Sequence, residues 1–225
     1  MRLLAIDTAL AACSAAVFDS QCGVVASESQ PMVRGHAEAL MPLVARVMRA
    51  AGVAFSEIER IAVTVGPGSF TGLRVGVAAA RGIALAAGTP AVGITTLAAF
   101  AAPNLAVGGG TPVLAAIDAR HHHVYMQMFE PSGAPRHPAR IATIAEAVVA
   151  AAAAPSRLAG SAAALIANAW PQGAGEPLVI DARDAPDIEW VARLGAAADV
   201  TGAMPKPLYL SAPDVRPPLS MLARR

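Results

Sequence analysis

The sequence predicts an α/β protein of two lobes, in which mixed β-sheets are flanked by helices. Short apolar runs separated by turns open the chain, and a strand, a glycine-rich turn and a helix follow one another over residues 61–87. The Ile6-Asp7 ending of the first strand recurs at Ile117-Asp118. Strands that alternate with helices are typical of α/β folds. The recurrence indicates a duplicated architecture.

The first lobe is expected to open with an antiparallel meander. Strand-like runs cover residues 3–7, 13–18 and 23–29. Turns separate these runs, as hairpin connections do. An amphipathic helix follows over about residues 35–51, and Pro42 either delays its start or bends it.

A strand, a tight turn and a long helix are expected at the centre of this lobe. Residues 61–65 are apolar and rich in β-branched side chains, which predicts a buried strand, and residues 91–94 predict the next one. Ser69 is a suitable N-cap for a helix over residues 70–87, which ends at Gly88. Small residues recur at every fourth position of this helix: Gly72, Gly76, Ala80 and Ala84. Because a glycine weakens a helix by about 1 kcal/mol, the stripe predicts the close approach of another backbone.

The second lobe is expected to begin near the glycine-rich segment 103–111, which gives lobes over residues 1–103 and 104–225. Further strands are expected over residues 113–117 and 124–129, and helices near residues 143–154, 161–170 and 187–199. The proline-rich segment 205–218 predicts an ordered arm or a frayed tail.

The net charge argues against a nucleic-acid-binding protein, and the cysteine content argues against a disulfide-rich protein. The 225 residues include 17 basic and 16 acidic side chains, so a net charge of +1 provides no overall field that would attract nucleic acid. Cys13 and Cys22 are too few for a disulfide framework, which favours a reducing cytoplasm as the location.

No segment is expected to enter a membrane. Residues 10–13, Leu-Ala-Ala-Cys, are similar to a lipoprotein cleavage site, but Asp7 interrupts the apolar run that a signal peptide needs. Arg74 and Arg81 interrupt the apolar stretch over residues 70–100, and a membrane helix needs about 20 apolar residues.

The glycine-rich turn at residues 66–72 has two interpretations. Backbone N–H groups at a helix start can bind phosphate, and the same turn can be purely structural. It is not a Walker motif, because Lys206 is the only lysine in the chain. Asp7 and Asp118, each at a strand end, either hold a metal-bound nucleotide or cap their turns. The candidate cofactor-binding residues are Asp7, Thr8, Ser69 and Asp118.

No metal site and no catalytic residue are predicted. The run His121-His122-His123 would lie on a strand, where consecutive side chains point to opposite faces and cannot surround one ion. Ser69 lies at a strand-to-helix turn, but the turn lacks the Gly-x-Ser-x-Gly elbow of a serine hydrolase.

Several segments resemble the TsaB (YeaZ) family in order and spacing. They are residues 4–9 (LAIDTA), 13–16 (CSAA), His36, 66–74 (GPGSFTGLR), 93–97 (GITTL), 115–120 (AAIDAR) and 207–210 (PLYL). The GPGSFTGLR block is the most specific of these, and Ser211 replaces the arginine that follows the last one in the family. The resemblance is dense over residues 1–120 and thin from there to about residue 204.

This resemblance implies the actin/Hsp70-like (ASKHA) fold of two ribonuclease-H-like lobes. It also implies a non-catalytic role in forming threonylcarbamoyladenosine beside the anticodon of tRNA. The chain would bind the transferase TsaD, work with the ATPase TsaE, and contact tRNA only through the complex. It would need no cofactor of its own, because its partners would use ATP and metal. TsaD carries a His-x-x-x-His metal pair, which Leu40 breaks here after His36.

The resemblance further places the two helices of the first lobe in a four-helix bundle with the matching helices of TsaD, or with a second copy in a homodimer. The interface residues expected from this are Leu40, Met41, Val44, Met48, Gly72, Gly76, Ala80 and Leu85. Two alternatives remain open. One is an ATP-dependent small-molecule kinase of the same superfamily, with a nucleotide at Asp7 and Asp118, and the other is a glycoprotease-like metallohydrolase.

Overall fold

The computed structural model describes residues 1–173, 175–200 and 202–210, which form two five-stranded sheets with helices against them. The strands are β1 (Arg2–Asp7), β2 (Ala12–Asp19), β3 (Gly23–Pro31), β4 (Arg60–Gly66), β5 (Ala91–Thr95), β6 (Val113–Asp118), β7 (His123–Phe129), β8 (Arg140–Thr143), β9 (Arg157–Ala159) and β10 (Val179–Asp181). The helices are α1 (His36–Ala51), α2 (Phe70–Ala87), α3 (Thr96–Ala106), α4 (Ile144–Ala152), α5 (Ala163–Asn168) and α6 (Ile188–Ala197), and a 3₁₀ turn covers Phe55–Glu57.

The first sheet has the order β3-β2-β1-β4-β5. Strands β1, β2 and β3 form the predicted antiparallel meander, and β4 and β5 run parallel to β1. Strands β1 and β4 are buried almost throughout because helices cover both faces of the sheet, which explains their continuous apolar sequences. Cys13 is buried within β2, so the segment that resembles a lipoprotein cleavage site ends inside the sheet.

Helices α1 and α2 cover one face of this sheet. Helix α1 begins at His36 and continues through Pro42, so the proline does not delay its start. Ser69 caps α2 by accepting a hydrogen bond from the Gly72 N–H, and Gly88 ends the helix in a left-handed conformation. Of the described helices, only α2 is long and apolar enough to cross a membrane, but its inner side contributes to the core of the lobe. We therefore interpret α2 as a core helix.

The second sheet repeats the strand order of the first. When β6 to β10 are matched to β1 to β5, its order, β10-β9-β6-β7-β8, becomes β5-β4-β1-β2-β3. This is the order of the first sheet read from the opposite edge. The strand directions agree as well, since β6 pairs antiparallel with β7 and parallel with β9. Asp7 and Asp118 therefore end equivalent strands, and the duplication indicated by the two Ile-Asp pairs is present in the fold.

Two helices link the lobes. Helix α3 packs its buried side chains, which include Leu97 and Phe100, against the second sheet. Helix α6 returns to the first sheet, where Ile188 and Val191 pack with residues of β1. The Arg60 guanidinium holds the end of α6 by donating to the carbonyl groups of residues 195, 196 and 198 at 2.8–3.0 Å.

The division between the lobes therefore differs from the one expected at residues 103 and 104. That point lies inside α3, and α6 belongs to the first lobe although it follows the second in sequence. The three short strands β8, β9 and β10 were not expected either. Each has only three or four residues, too few for a hydrophobic period to stand out.

The small-residue stripe of α2 faces the sheet and not a partner. A Cβ atom on Gly72 would overlap with the Thr8 carbonyl oxygen, and one on Gly76 would overlap with the Thr8 hydroxyl. Ala80 and Ala84 are buried in the same core. The backbone that approaches α2 closely is thus the turn that follows β1 in the same lobe.

Two glycine substitutions within α2 test this arrangement. We expect Gly72→Ala to lower the free energy of unfolding by about 2 kcal/mol or more, because the methyl group enters a closed backbone contact. Gly82→Ala is the matched control, since nothing lies within 4 Å of its Cβ position, and it should stabilise the helix by up to about 1 kcal/mol. Urea denaturation of both variants measures the difference. Equal effects at the two positions would contradict the inward orientation of the stripe.

Candidate functional site

A cavity with a volume of about 450 Å³ lies between the lobes. Most of its lining comes from four segments: the turn after β1, the glycine-rich loop before α2, the turn after β6, and residues 208–210. In an α/β fold, ligands bind at the carboxyl ends of the strands, which is where this cleft lies. Of the four candidate cofactor-binding residues, Ser69 and Asp118 line the cleft.

The loop before α2 is closed by the chain itself. The Ser69 N–H donates to the Ala9 carbonyl at 2.7 Å, and a Cβ atom on Gly68 would overlap with that same carbonyl oxygen. One turn further along, the Thr8 hydroxyl donates to the Gly72 carbonyl at 2.7 Å. The turn after β1 therefore packs directly against this loop, and the structural interpretation of the loop fits this geometry.

Asp7 lies beneath the cleft and is fully buried. Its Oδ1 accepts hydrogen bonds from the Ala9 N–H at 3.0 Å and the Thr64 hydroxyl at 2.5 Å, whereas Oδ2 has no partner in the described part of the chain. Burial raises the pKa of Asp7 to about 6, although both hydrogen bonds and the charge of nearby His36 act in the opposite direction. His36 Nε2 lies 3.1 Å from the Leu10 carbonyl oxygen.

Asp118 lies at the equivalent strand end in the second lobe and is exposed. Its Oδ1 accepts a hydrogen bond from the Arg120 N–H at 2.8 Å, which is the turn-capping role considered for this residue. Arg120, His121 and His122 all adopt left-handed backbone angles, so only His123 of the three histidines belongs to a strand. Across residues 1–173, 175–200 and 202–210, no three His, Cys, Asp or Glu side chains lie close enough to share a metal ion.

Residues 205–210 form a segment that we call the C-terminal strap, and its last three residues line the cleft. The Leu208 N–H donates to the Val65 carbonyl at 2.7 Å, and the Tyr209 ring packs on Phe70 with 5.1 Å between ring centroids. Arg74 lies over the Phe70 ring and donates from Nε to the Tyr209 hydroxyl at 3.2 Å. Periodicity carries no signal for such a contact. The one available signal was the resemblance of residues 207–210 to a family motif. The rest of the predicted proline-rich segment, 211–218, lies outside the described residues.

Comparison with known proteins identifies the relatives of this chain. The family model described as "TsaD: tRNA N6-adenosine threonylcarbamoyltransferase" matches residues 14–173. The solved structure of YeaZ from Pseudomonas aeruginosa superimposes with a TM-score of 0.77 and 30% sequence identity, and the match covers 93% of this chain and 99% of that one. The chain belongs to the TsaB/YeaZ family. The two-lobe actin/Hsp70-like fold that the resemblance implied is confirmed with it.

Two curated TsaB proteins match more than half of the chain. The tRNA threonylcarbamoyladenosine biosynthesis protein TsaB of Escherichia coli (strain K12) is 40% identical over 130 residues, and that of Haemophilus influenzae is 34% identical over 125 residues. These matches cover 58% and 56% of this chain. The aligned part spans about half the length of each curated relative, 55% and 52%.

The interface predicted for this TsaB/YeaZ family member is mostly internal. The six inward-facing residues are Leu40, Val44, Met48, Gly72, Gly76 and Ala80. They belong to the core between the helices and the sheet, so their assignment to a partner interface was wrong. Met41 and Leu85 are 47% and 79% exposed, and they remain candidates. We call the solvent-exposed side of α1 and α2, which carries these two residues, the outer face.

The raised pKa of Asp7 predicts a pH dependence of stability. A carboxyl group whose pKa rises on folding binds its proton more tightly in the folded state, so stability falls as pH rises from about 4 to about 6 and then levels off. The loss amounts to about 3 kcal/mol, and Asp7→Asn should remove it. Urea denaturation of the wild type and the variant between pH 4 and pH 8 measures the difference. Parallel profiles for the two proteins would contradict the burial of an ionisable Asp7.

Proposed function

We propose that this chain is an accessory subunit of the machinery that forms threonylcarbamoyladenosine in tRNA. In this proposal it binds TsaD, which transfers the threonylcarbamoyl group to the adenosine beside the anticodon, and the ATPase TsaE assists. The observation that carries the proposal is membership of the TsaB/YeaZ family, with a match to P. aeruginosa YeaZ over almost the full length of both chains. The proposed location is the cytoplasm, where tRNA is modified.

The closed loop before α2 supports a non-catalytic role. A phosphate-binding loop needs free N–H groups and room beside its glycines. Here the Ala9 carbonyl accepts the Ser69 N–H, and Thr8 and Ala9 pack against Gly72 and Gly68. We therefore propose that the chain has no cofactor of its own, and that ATP and metal are used by its partners.

The outer face of α1 and α2 is the surface that we propose for TsaD. Leu85 is the second most exposed large apolar side chain in the described residues, and an apolar side chain in this setting favours a protein partner. Met41 lies on the neighbouring helix and adds a flexible apolar side chain that can adapt to a partner surface. The buried glycine stripe supports this choice of surface indirectly, because it fixes the inner side of α2 on the sheet and leaves the outer side exposed.

An ATP-dependent small-molecule kinase is the alternative that the cleft favours, because Ser69 and Asp118 line it. Calorimetric titration of the purified chain with Mg-ATP separates the two proposals. Micromolar binding that is lost in Asp118→Asn would support the kinase. The absence of measurable heat, together with binding to TsaD, would support the accessory subunit.

Reconstitution with the TsaD and TsaE proteins of the same organism tests the proposed function. We expect tRNA modification from a threonylcarbamoyl-adenylate donor to require this chain, and the chain alone to be inactive. Leu85→Glu should weaken binding to TsaD by about tenfold or more, because it places a charge in an apolar contact. Val149→Glu, which alters a similarly exposed apolar residue of α4, is the matched control and should leave binding unchanged. Modification by the isolated chain, or full activity without it, would refute the proposal.

A further inference from the structure

The outer face of α2 carries a second stripe, which consists of two arginines, an alanine and a leucine. Arg74, Ala78, Arg81 and Leu85 are all exposed, and they follow one another at spacings of four, three and four residues. Side chains at these spacings share one side of an α-helix and form a seam that a second helix can pack along. A small residue lies between two cations, and an apolar residue, 79% exposed, ends the stripe.

The outer face as a whole is basic. Helix α1 exposes Glu38, Arg46 and Arg49, but Arg46 is neutralised by two hydrogen bonds, of 3.0 and 2.7 Å, to Glu28 of β3. Arg49, Arg74 and Arg81 are in none of the ion pairs between described residues. Three unpaired cations thus face solvent on these two helices against the single carboxylate of Glu38.

Arg74 is held in place before any partner arrives. Its guanidinium carbon lies 3.8 Å from the centre of the Phe70 ring, and its Nε donates to the Tyr209 hydroxyl of the C-terminal strap. The two terminal nitrogens have no partner within the described residues. An arginine that is already ordered loses less side-chain entropy when it binds a carboxylate, which is the reason preorganised contacts bind more tightly.

We propose that the outer stripe of α2 docks a helix of a different protein that carries acidic side chains about seven residues apart. At a rise of about 1.5 Å per residue, this spacing places its carboxylates about 10 Å apart, as Arg74 and Arg81 are along α2. The inference rests on the proposed function and specifies the chemistry of the partner. A second copy of this chain fits poorly, because a symmetric contact brings the same arginines together from both sides.

Charge reversal at Arg81 tests the inference, with the TsaD protein of the same organism as the probe. We expect Arg81→Glu to raise the Kd by about tenfold or more at about 0.1 M salt, and Arg81→Gln to have a smaller effect. Both effects should shrink at about 1 M salt, where the screening length falls to about 3 Å. Arg140→Glu, which makes the same charge change on the second lobe, is the matched control and should leave the Kd unchanged.

The two proposals fail in different ways. If the wild-type chain does not bind TsaD at either salt concentration, the proposed function fails. If it binds and Arg81→Glu binds equally well, the function stands and the acidic partner is wrong. The inference is also overturned if the isolated chain forms a dimer in sedimentation experiments that Leu85→Glu dissociates, because the outer face would then be a contact between copies.

Discussion

The close contact between the turn after β1 and the start of α2 is the constraint on which the rest of the structure depends. Thr8 and Ala9 pack against Gly72 and Gly68 so closely that no side chain fits between them. Two hydrogen bonds of 2.7 Å, from Thr8 to α2 and from Ser69 to Ala9, join the segments. This contact fixes the position of α2 on the sheet, and it also ties the glycine-rich loop to the turn after β1. One set of atoms therefore determines both the core of the first lobe and the conformation of the loop that lines the cleft.

The sequence predicted the close approach to α2 but not its direction. A period of four shows that one side of the helix lacks bulk, and it does not show which backbone comes near. A decisive signal was nevertheless present in the same helix. Arg74 and Arg81 lie almost opposite the glycines on the helical wheel, and unpaired arginines mark the solvent side of a surface helix. The glycines therefore had to face inwards, and Gly76 is a site of stability and not of recognition.

The first lobe was predictable to a much greater extent than the second. Its strands have five to nine residues and its helices have clear caps, such as Ser69 and Gly88, so local pattern was sufficient. Strands β9 and β10 have three residues each, and they exist because a parallel neighbour pairs with them. The return of α6 to the first sheet depends on contacts across more than 130 residues, such as those of Arg60, and no local pattern encodes them.

The C-terminal strap joins the cleft to the outer face. The Leu208 N–H is hydrogen-bonded to the end of β4, and the Tyr209 ring is stacked on Phe70. The strap therefore forms one side of the cleft. The same Tyr209 hydroxyl accepts the hydrogen bond that orders Arg74 on the outer side of α2. Displacement of the strap from the cleft would remove this hydrogen bond, whereas the stacking of Arg74 on Phe70 lies within α2 and would remain. Through Phe70 and Tyr209, which line the cleft and contact Arg74, the space between the lobes adjoins the helix face proposed for a partner.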